Sequence, residues 1–311
     1  MKILVLHLSL LFLSFSINAK QVFLGPSNNS QEEIQEALID LEPGDILTLK
    51  PGEYFFEDGL SLDIDDVIFE GSGIDETILN FENQMSGAQG LLVTSNGVTI
   101  RDFAVLDAKG DAIKVIGADG IKMIRLRTEW TGGPKETNGA YGFYPVESKD
   151  VLIDGCVAIG ASDAGIYVGQ SQNIIVKNSI AQYNVAGIEI ENSFYADVFD
   201  NLTSHNTGGI LVFDLPDLPQ QGGHHVRVFR NKAINNDTDN FAPEGNIVGE
   251  VPRLVIIGDA VVLGTFPLLQ FVVVLQSALV EPIHLTLFAE TVILSSAKSD
   301  CQESLLAELA V

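Results

Sequence analysis

The sequence predicts an all-β fold, a parallel β-helix carrying an N-terminal capping helix. Three observations predict it. Gly165, Gly187 and Gly209 open the same phrase at a spacing of 22 residues. Behind each glycine stands an apolar pair, Ile166/Val168, Ile188/Ile190 and Ile210/Val212. A second pair repeats at the same offset, Ile174/Val176 becoming Ala196/Val198, as does Asn184 becoming Asn206. A fixed period in this range marks a solenoid, and apolar–polar alternation marks strands rather than helices. Two or three short strands per period, with Gly and Asn turns, make one rung.

The chain has 311 residues, a length that one long solenoid can absorb because solenoids grow by adding rungs. Its formal charge of −25 argues against a nucleic-acid partner, which needs a basic surface. Met1–Ala19 reads as a secretory leader: Lys2 is the charged start, Ile3–Phe15 the apolar stretch, and Ile17-Asn18-Ala19 the cleavage site. This predicts export to the periplasm or the extracellular space. Residues 20–253 are assigned to the β-helix and 254–311 to a hydrophobic tail. Two cysteines are too few for a disulfide framework, and Cys156, inside VLIDGCVAI, reads as a buried thiol.

In chain order, residues 27–41 read as a helix. Ser30 and Glu33 have capping-box spacing, and Ile34, Ala37, Leu38 and Leu41 form one stripe. Such a helix covers the first rung, which otherwise exposes its core and strand edges. Strands follow at 46–49, 59–64, 66–71 and 77–81, punctuated by glycines. Clearer rungs begin at GLLVTSNGVTIRDF, with Ile113/Val115 and Ile121/Met123 in the next and Gly142 standing 23 residues before Gly165.

Two turns are long. TEWTGGPKETNGA (128–140) precedes the strand of Gly142, and DLPDLPQQGGHH (214–225) follows the strand of Gly209. Placing Val226 on Ala196 and Asn236 on Asn206 gives an offset of 30, so the second turn holds an insertion of eight residues. Insertions in repeat proteins collect on the binding face, and these two could wall opposite sides of one groove. After Arg253 the glycine–isoleucine and Asn-turn pattern is lost. The segment from Leu254 to Val311 has no Asn, one Lys and no Arg. It reads as a divergent solenoid end, a membrane segment over Ala260–Val280, or a changed reading frame, and the abrupt compositional break favours the last. No membrane span is expected in the β-helix itself.

Alternation puts Lys114, Tyr144, Tyr167, Glu189 and Leu211 in one outward column and Gly169, Glu191 and Phe213 in a second. Neighbours in a column stand one rung apart, about 4.8 Å. This is a candidate saccharide groove. Tyrosine faces stack on sugar rings, lysine holds a uronate carboxylate, and acids hold hydroxyls or Ca²⁺. The candidate bases are Tyr167, Tyr144, His224 and Lys114. The candidate substrate contacts are Trp130, Lys135, Glu189, Glu191 and Asp214. A lyase or epimerase would use one of those bases with a cation to stabilise the enolate. A glycosidase would use Glu189 with Glu191 or Asp214, and is the less favoured. Asp163, in GASDAG, reads as a turn residue. No resident metal site is assigned, because adjacent His224 and His225 face opposite ways in extended backbone.

The opening PGDILTLKPGEYFFEDGLSL resembles the start of many pectate-lyase-like proteins. Asn138–Pro252 resembles a family of secreted bacterial parallel β-helix repeat proteins, on NGAYGFYPVES, GASDAGIYVGQS, VAGIEIENS, NTGGILVFDLPDLPQQGG and NFAPEGNIVGEVP. That resemblance implies a right-handed, pectin-lyase-like fold and export, without a defined reaction. The Asp-Pro-His-Glu signature of mannuronan epimerases is absent, and the family's rungs would continue beyond Val251-Pro252. The expected function is binding, and lyase- or epimerase-type modification, of an acidic polysaccharide. The alternative is a non-catalytic scaffold.

Overall fold

The computed structural model describes residues 19–215 and 217–243, together with three short strands at 260–262, 273–274 and 291–292. The expected leader and tail lie almost entirely outside the described residues. Strands of successive rungs stack in parallel into three sheets. Each full rung runs through a front, a lower and a back sheet. The front sheet extends from Leu60–Leu62 to Gly208–Phe213, the lower from Gln21–Leu24 to His224–Phe229, and the back from Gly52–Phe55 to Lys232–Ile234. At the far end Ala260–Val262 pairs antiparallel with His224–Phe229, outside the rung pattern.

The 22-residue period is the register itself. Ile166 pairs with Ile188 and Ile188 with Ile210. Ile174 pairs with Ala196, and Ala196 with Val226 across the inserted turn. Ile166, Val168, Ile188, Val176 and Val198 are fully buried, so the inward columns form one continuous core. Each such side chain contributes roughly 1.5–3 kcal/mol by leaving water. The Gly52–Phe55 strand has no counterpart among the expected strands, because its alternating pattern is short and Pro51 interrupts the run before it.

Asparagine ladders run along the interior. Asn184 Nδ2 donates to Asn206 Oδ1 at 3.0 Å, and Asn206 Nδ2 to Asn236 Oδ1 at 2.8 Å. Each amide also donates to a backbone carbonyl, Ala158 for Asn184 and Ala181 for Asn206. This pairs polar groups that burial would otherwise leave costly.

The capping helix spans Ser30–Ile39 and buries Ile34 and Leu38 against the first rung. Gln35 locks it to the Leu60–Leu62 strand through both the N–H (2.8 Å) and the carbonyl (3.0 Å) of Ser61. The capping box differs from expectation. Asn29 occupies the N-cap, and Ser30 turns back to bond the backbone of Ser27. Ser27 Oγ instead donates to Glu33 at 2.9 Å.

Candidate acid–base site on the front sheet

The front sheet aligns the outward columns in the expected register. Lys114 pairs with Tyr144, Tyr167 with Glu189, and Glu189 with Leu211. Gly169 pairs with Glu191, and Glu191 with Phe213. Three tyrosines cluster there, with ring centroids 4.3 Å apart for Tyr141–Tyr144, 4.8 Å for Tyr141–Tyr167 and 5.0 Å for Tyr144–Tyr167. Lys114 Nζ lies 4.6 Å from the Tyr144 ring centroid and 4.0 Å from Asp111.

The outward columns form a buried cluster here. Glu189 is 2% exposed, Tyr167 4% and Glu191 7%. Burial, reinforced by Asp163 and Glu191, raises the Glu189 pKa well above the usual carboxylate range. Burial also pushes Glu191 up to about 7, while a hydrogen bond from Tyr167 opposes the rise. Asp163 is raised to about 6 by burial, against the hydrogen bond from Tyr141. Asp111 is raised to about 6 by burial, against the Lys114 charge and the Tyr141 backbone N–H. Burial thus shifts Glu189 toward its protonated form, while at neutral pH Glu191 is shared between states and the two aspartates are mostly ionised. Neighbouring carboxyls held in different states by their surroundings are the pattern of an acid–base pair. Glu189 Oε1 and Asp163 Oδ1 are buried without a hydrogen-bond donor.

The phenols move the other way for a base. Burial pushes Tyr144 up to about 12, and raises Tyr141 and Tyr167 further, with nearby carboxylates adding to the shift. Gly169 is required here. A Cβ on it would stand 2.0 Å from the Tyr167 hydroxyl oxygen, because the Tyr167 ring lies across the glycine.

Four expected contacts lie elsewhere or have other work. Trp130 does not line a groove. Its ring joins the hydrophobic core at 5% exposure, and its Nε1–H donates to Ala108 O at 2.7 Å. A turn rich in glycine lets the indole fold inward, where burial outweighs exposure on the rim. Lys135 is exposed on the same turn, with its ammonium against Gly132. His224 belongs to the lower sheet, not the front one, and stacks on Phe194 at 4.4 Å with a 5° interplanar angle. Asp214 closes the inserted turn by accepting Gly223 N–H at 2.8 Å, and its charge bears on Glu191.

The two histidines also do not face opposite ways. His225 has a φ of 56°, which breaks the alternation, and the two Nδ1 atoms approach to 2.8 Å. Among the described residues no group of three or more His, Cys, Asp or Glu is arranged to hold a metal ion. Asp163, Asp111 and Tyr141 are members that sequence reasoning missed. Their signal was positional, since Tyr141 pairs with Ala164, the residue after Asp163. Cys156 is fully buried and its thiol is pushed up to about 12, as suits a core residue.

Residues 65–217 match the family model of the right-handed beta helix region. The described rungs form a right-handed parallel β-helix. Solved structures similar to this β-helix include the catalytic domain of a GH87 alpha-1,3-glucanase in complex with tetrasaccharides, at 16% identity and a TM-score of 0.44 over 60% of this chain and 39% of that one. A Yersinia enterocolitica family 28 exopolygalacturonase matches at 12% identity and a TM-score of 0.48 over 69% of this chain and 54% of that one. An alginate lyase from Paenibacillus matches at 13% identity and a TM-score of 0.39 over 70% and 91%. The β-helix thus spans well under two thirds of the first two chains. No curated protein matches the sequence. No described helix is long and apolar enough to cross a membrane.

Proposed function

We propose that this β-helix is an exported protein that binds a polysaccharide on its front sheet and acts on it by proton transfer through Glu189 and Glu191. The observation that supports this most is the pair itself. Two glutamates two positions apart share one strand face, one shifted by burial toward its protonated form and the other titrating at about 7. That is the division of labour general acid–base catalysis needs near neutral pH.

The charge of the site bears on the substrate. Asp111 and Asp163 lose their protons at about 6, and the nearby cation, Lys114, is engaged by Asp111. A uronate carboxylate would meet repulsion at neutral pH and much less below it. The acidic-polysaccharide reading therefore carries a condition, that binding improves as pH falls below 6. Tyr144 and Tyr167 are poor candidates for the base of a lyase or epimerase, because a buried phenol with a raised pKa gives up its proton reluctantly. The carboxyl pair is the better acid and base, which favours hydrolytic cleavage over elimination.

A scaffold role draws on one observation. The phenols of Tyr167 and Tyr141 lower the pKa values of Glu191 and Asp163, so the cluster partly stabilises its own charge. The test is a screen of neutral and uronate polymers at pH 5 and pH 7.5, reading new reducing ends and unsaturated products separately. A Tyr167→Ala/Glu189→Ala variant should lose polymer binding while the far-ultraviolet β signal stays. Retained binding would remove the front-sheet assignment, and binding without any product would leave the scaffold.

A further inference from the structure

The inserted turn builds a polar cleft beside the front sheet. Its volume is about 680 Å³, and it lies at the corner where front-sheet strands pass into the lower sheet. Gln170, Gln172, Lys149 and Phe194 form one side, and Pro219 and Gln221 of the inserted turn form the other. Gln170 directly follows Gly169, the register partner of Glu191, so the cleft begins where the acid pair ends.

The wall is fixed rather than loose. Asn192 accepts the Leu215 N–H at 2.7 Å and donates to the carbonyls of Leu215 at 2.9 Å and Gln220 at 2.8 Å. Gln220 Nε2 returns bonds to Asn192 O at 2.6 Å and Ser171 O at 3.2 Å. Asp214 clamps the end of the turn through Gly223. A turn held by this many bonds presents its side chains at little entropic cost to a ligand. Meanwhile Gln170 Oε1 is buried and has no hydrogen-bond donor in the protein. Such an acceptor gains a partner when a water, hydroxyl or amide donor reaches it.

We propose that this corner cleft is a saccharide subsite that receives a further sugar unit of the chain held at Glu189 and Glu191. It rests on the polysaccharide reading above. Its glutamine amides, together with the charged Asp119, Glu147 and Lys149, suit hydroxyl-bearing rings, which offer both donors and acceptors, while the Phe194 ring supplies an apolar face. The eight-residue departure from the 22-residue period is then a specificity device, extending recognition beyond the reacting unit.

The experiment is calorimetric titration of the full chain with oligogalacturonides and cello-oligosaccharides, from disaccharide to octasaccharide, at pH 5. Wild type should show a step in affinity once the oligomer is long enough to occupy both places. Gln170→Leu and Gln221→Ala, checked for an unchanged melting temperature, should remove that step, weakening the octasaccharide about three- to tenfold while leaving the disaccharide alone. Gln220→Ala, which removes the bonds to Asn192 O and Ser171 O that hold the wall, should give a loss of the same kind. A step that survives in these variants, an equal loss at every length, or no binding of either series overturns the subsite. Glu189→Gln separates the two readings. Should wild type turn over nothing and yet keep its length step, the proton-transfer chemistry fails and the subsite stands.

Discussion

Tyr167 lies across Gly169, with its hydroxyl oxygen 2.0 Å from where a Cβ would stand, and its phenol lowers the pKa of Glu191, the residue paired with Gly169 on the next rung. One strand thus supplies the ring and the space for it, and its neighbour supplies the carboxyl. The phenol holds Glu191 at about 7, below where burial alone would carry it.

Gly169→Ala tests this arrangement. The new Cβ would overlap the Tyr167 hydroxyl at 2.0 Å, so the ring must move off Glu191. The Glu191 pKa should rise above its present value, visible as an upward shift of the corresponding limb of a pH–activity profile or of its side-chain carbon resonance. Overpacking should cost about 1–3 kcal/mol in chemical denaturation. An unchanged titration would show that Tyr167 does not set it.

Glu189→Gln and Glu191→Gln should each lower turnover of a responsive polymer about 10²–10⁴-fold, as loss of a general acid or base does. Polymer binding by Glu189→Gln should persist, because an amide keeps the shape of the protonated carboxyl. Loss of binding without selective loss of turnover would assign Glu189 to recognition instead.

Stability should fall as pH rises across the site's titration. Glu191, Asp163 and Asp111 all have folded pKa values above the ordinary carboxylate range, at about 7, 6 and 6. Their contribution is full below the unfolded values near pH 4 and is lost as pH climbs through the folded ones. Asp45 and Asp200 are lowered, by backbone hydrogen bonds and by Arg230 respectively, and act in the opposite sense only below about pH 4. The melting temperature should therefore decline between about pH 4 and pH 7, and Glu189→Gln/Glu191→Gln should flatten the decline. A wild-type curve that rises over this window would contradict the raised values.

Asn206→Ala removes the centre of an interior ladder. Asn206 donates to Ala181 O at 2.9 Å and Asn236 Oδ1 at 2.8 Å, and accepts from Asn184 N at 2.9 Å and Nδ2 at 3.0 Å. The orphaned groups are buried, so the loss should be about 2–4 kcal/mol by denaturant unfolding. A cost below about 1 kcal/mol would mean the ladder relaxes around the gap.

Trp130→Phe addresses a residue expected at the rim and found in the core. It deletes the bond to Ala108 O and should cost about 1–2 kcal/mol of stability with polymer affinity unchanged. Lost affinity in a variant with an unchanged melting temperature would return Trp130 to the groove.

Much of the fold was legible because a solenoid repeats its solution. Gly165, Gly187 and Gly209 showed the period, Ile166/Val168 and Ile188/Ile190 the inward columns, and Val226 over Ala196 the size of the insertion. Side-chain alternation also placed Tyr167 and Glu189 together on the outer face. It failed where the backbone leaves the extended region. His225 carries a left-handed φ, so adjacent histidines converge instead of diverging. Asp163 precedes its strand and looked like a turn residue, yet its side chain meets Tyr141 and Glu189.

The sequence by itself determined the rung, its register, and which face Tyr167, Glu189 and Glu191 share, because those follow from local periodicity. Only the tertiary structure decided that this face is buried, that burial raises the pKa values of both Glu189 and Glu191, and that Trp130 turns inward. Those properties depend on what packs over each group and which charges surround it, and neither is written in the spacing of residues along one strand.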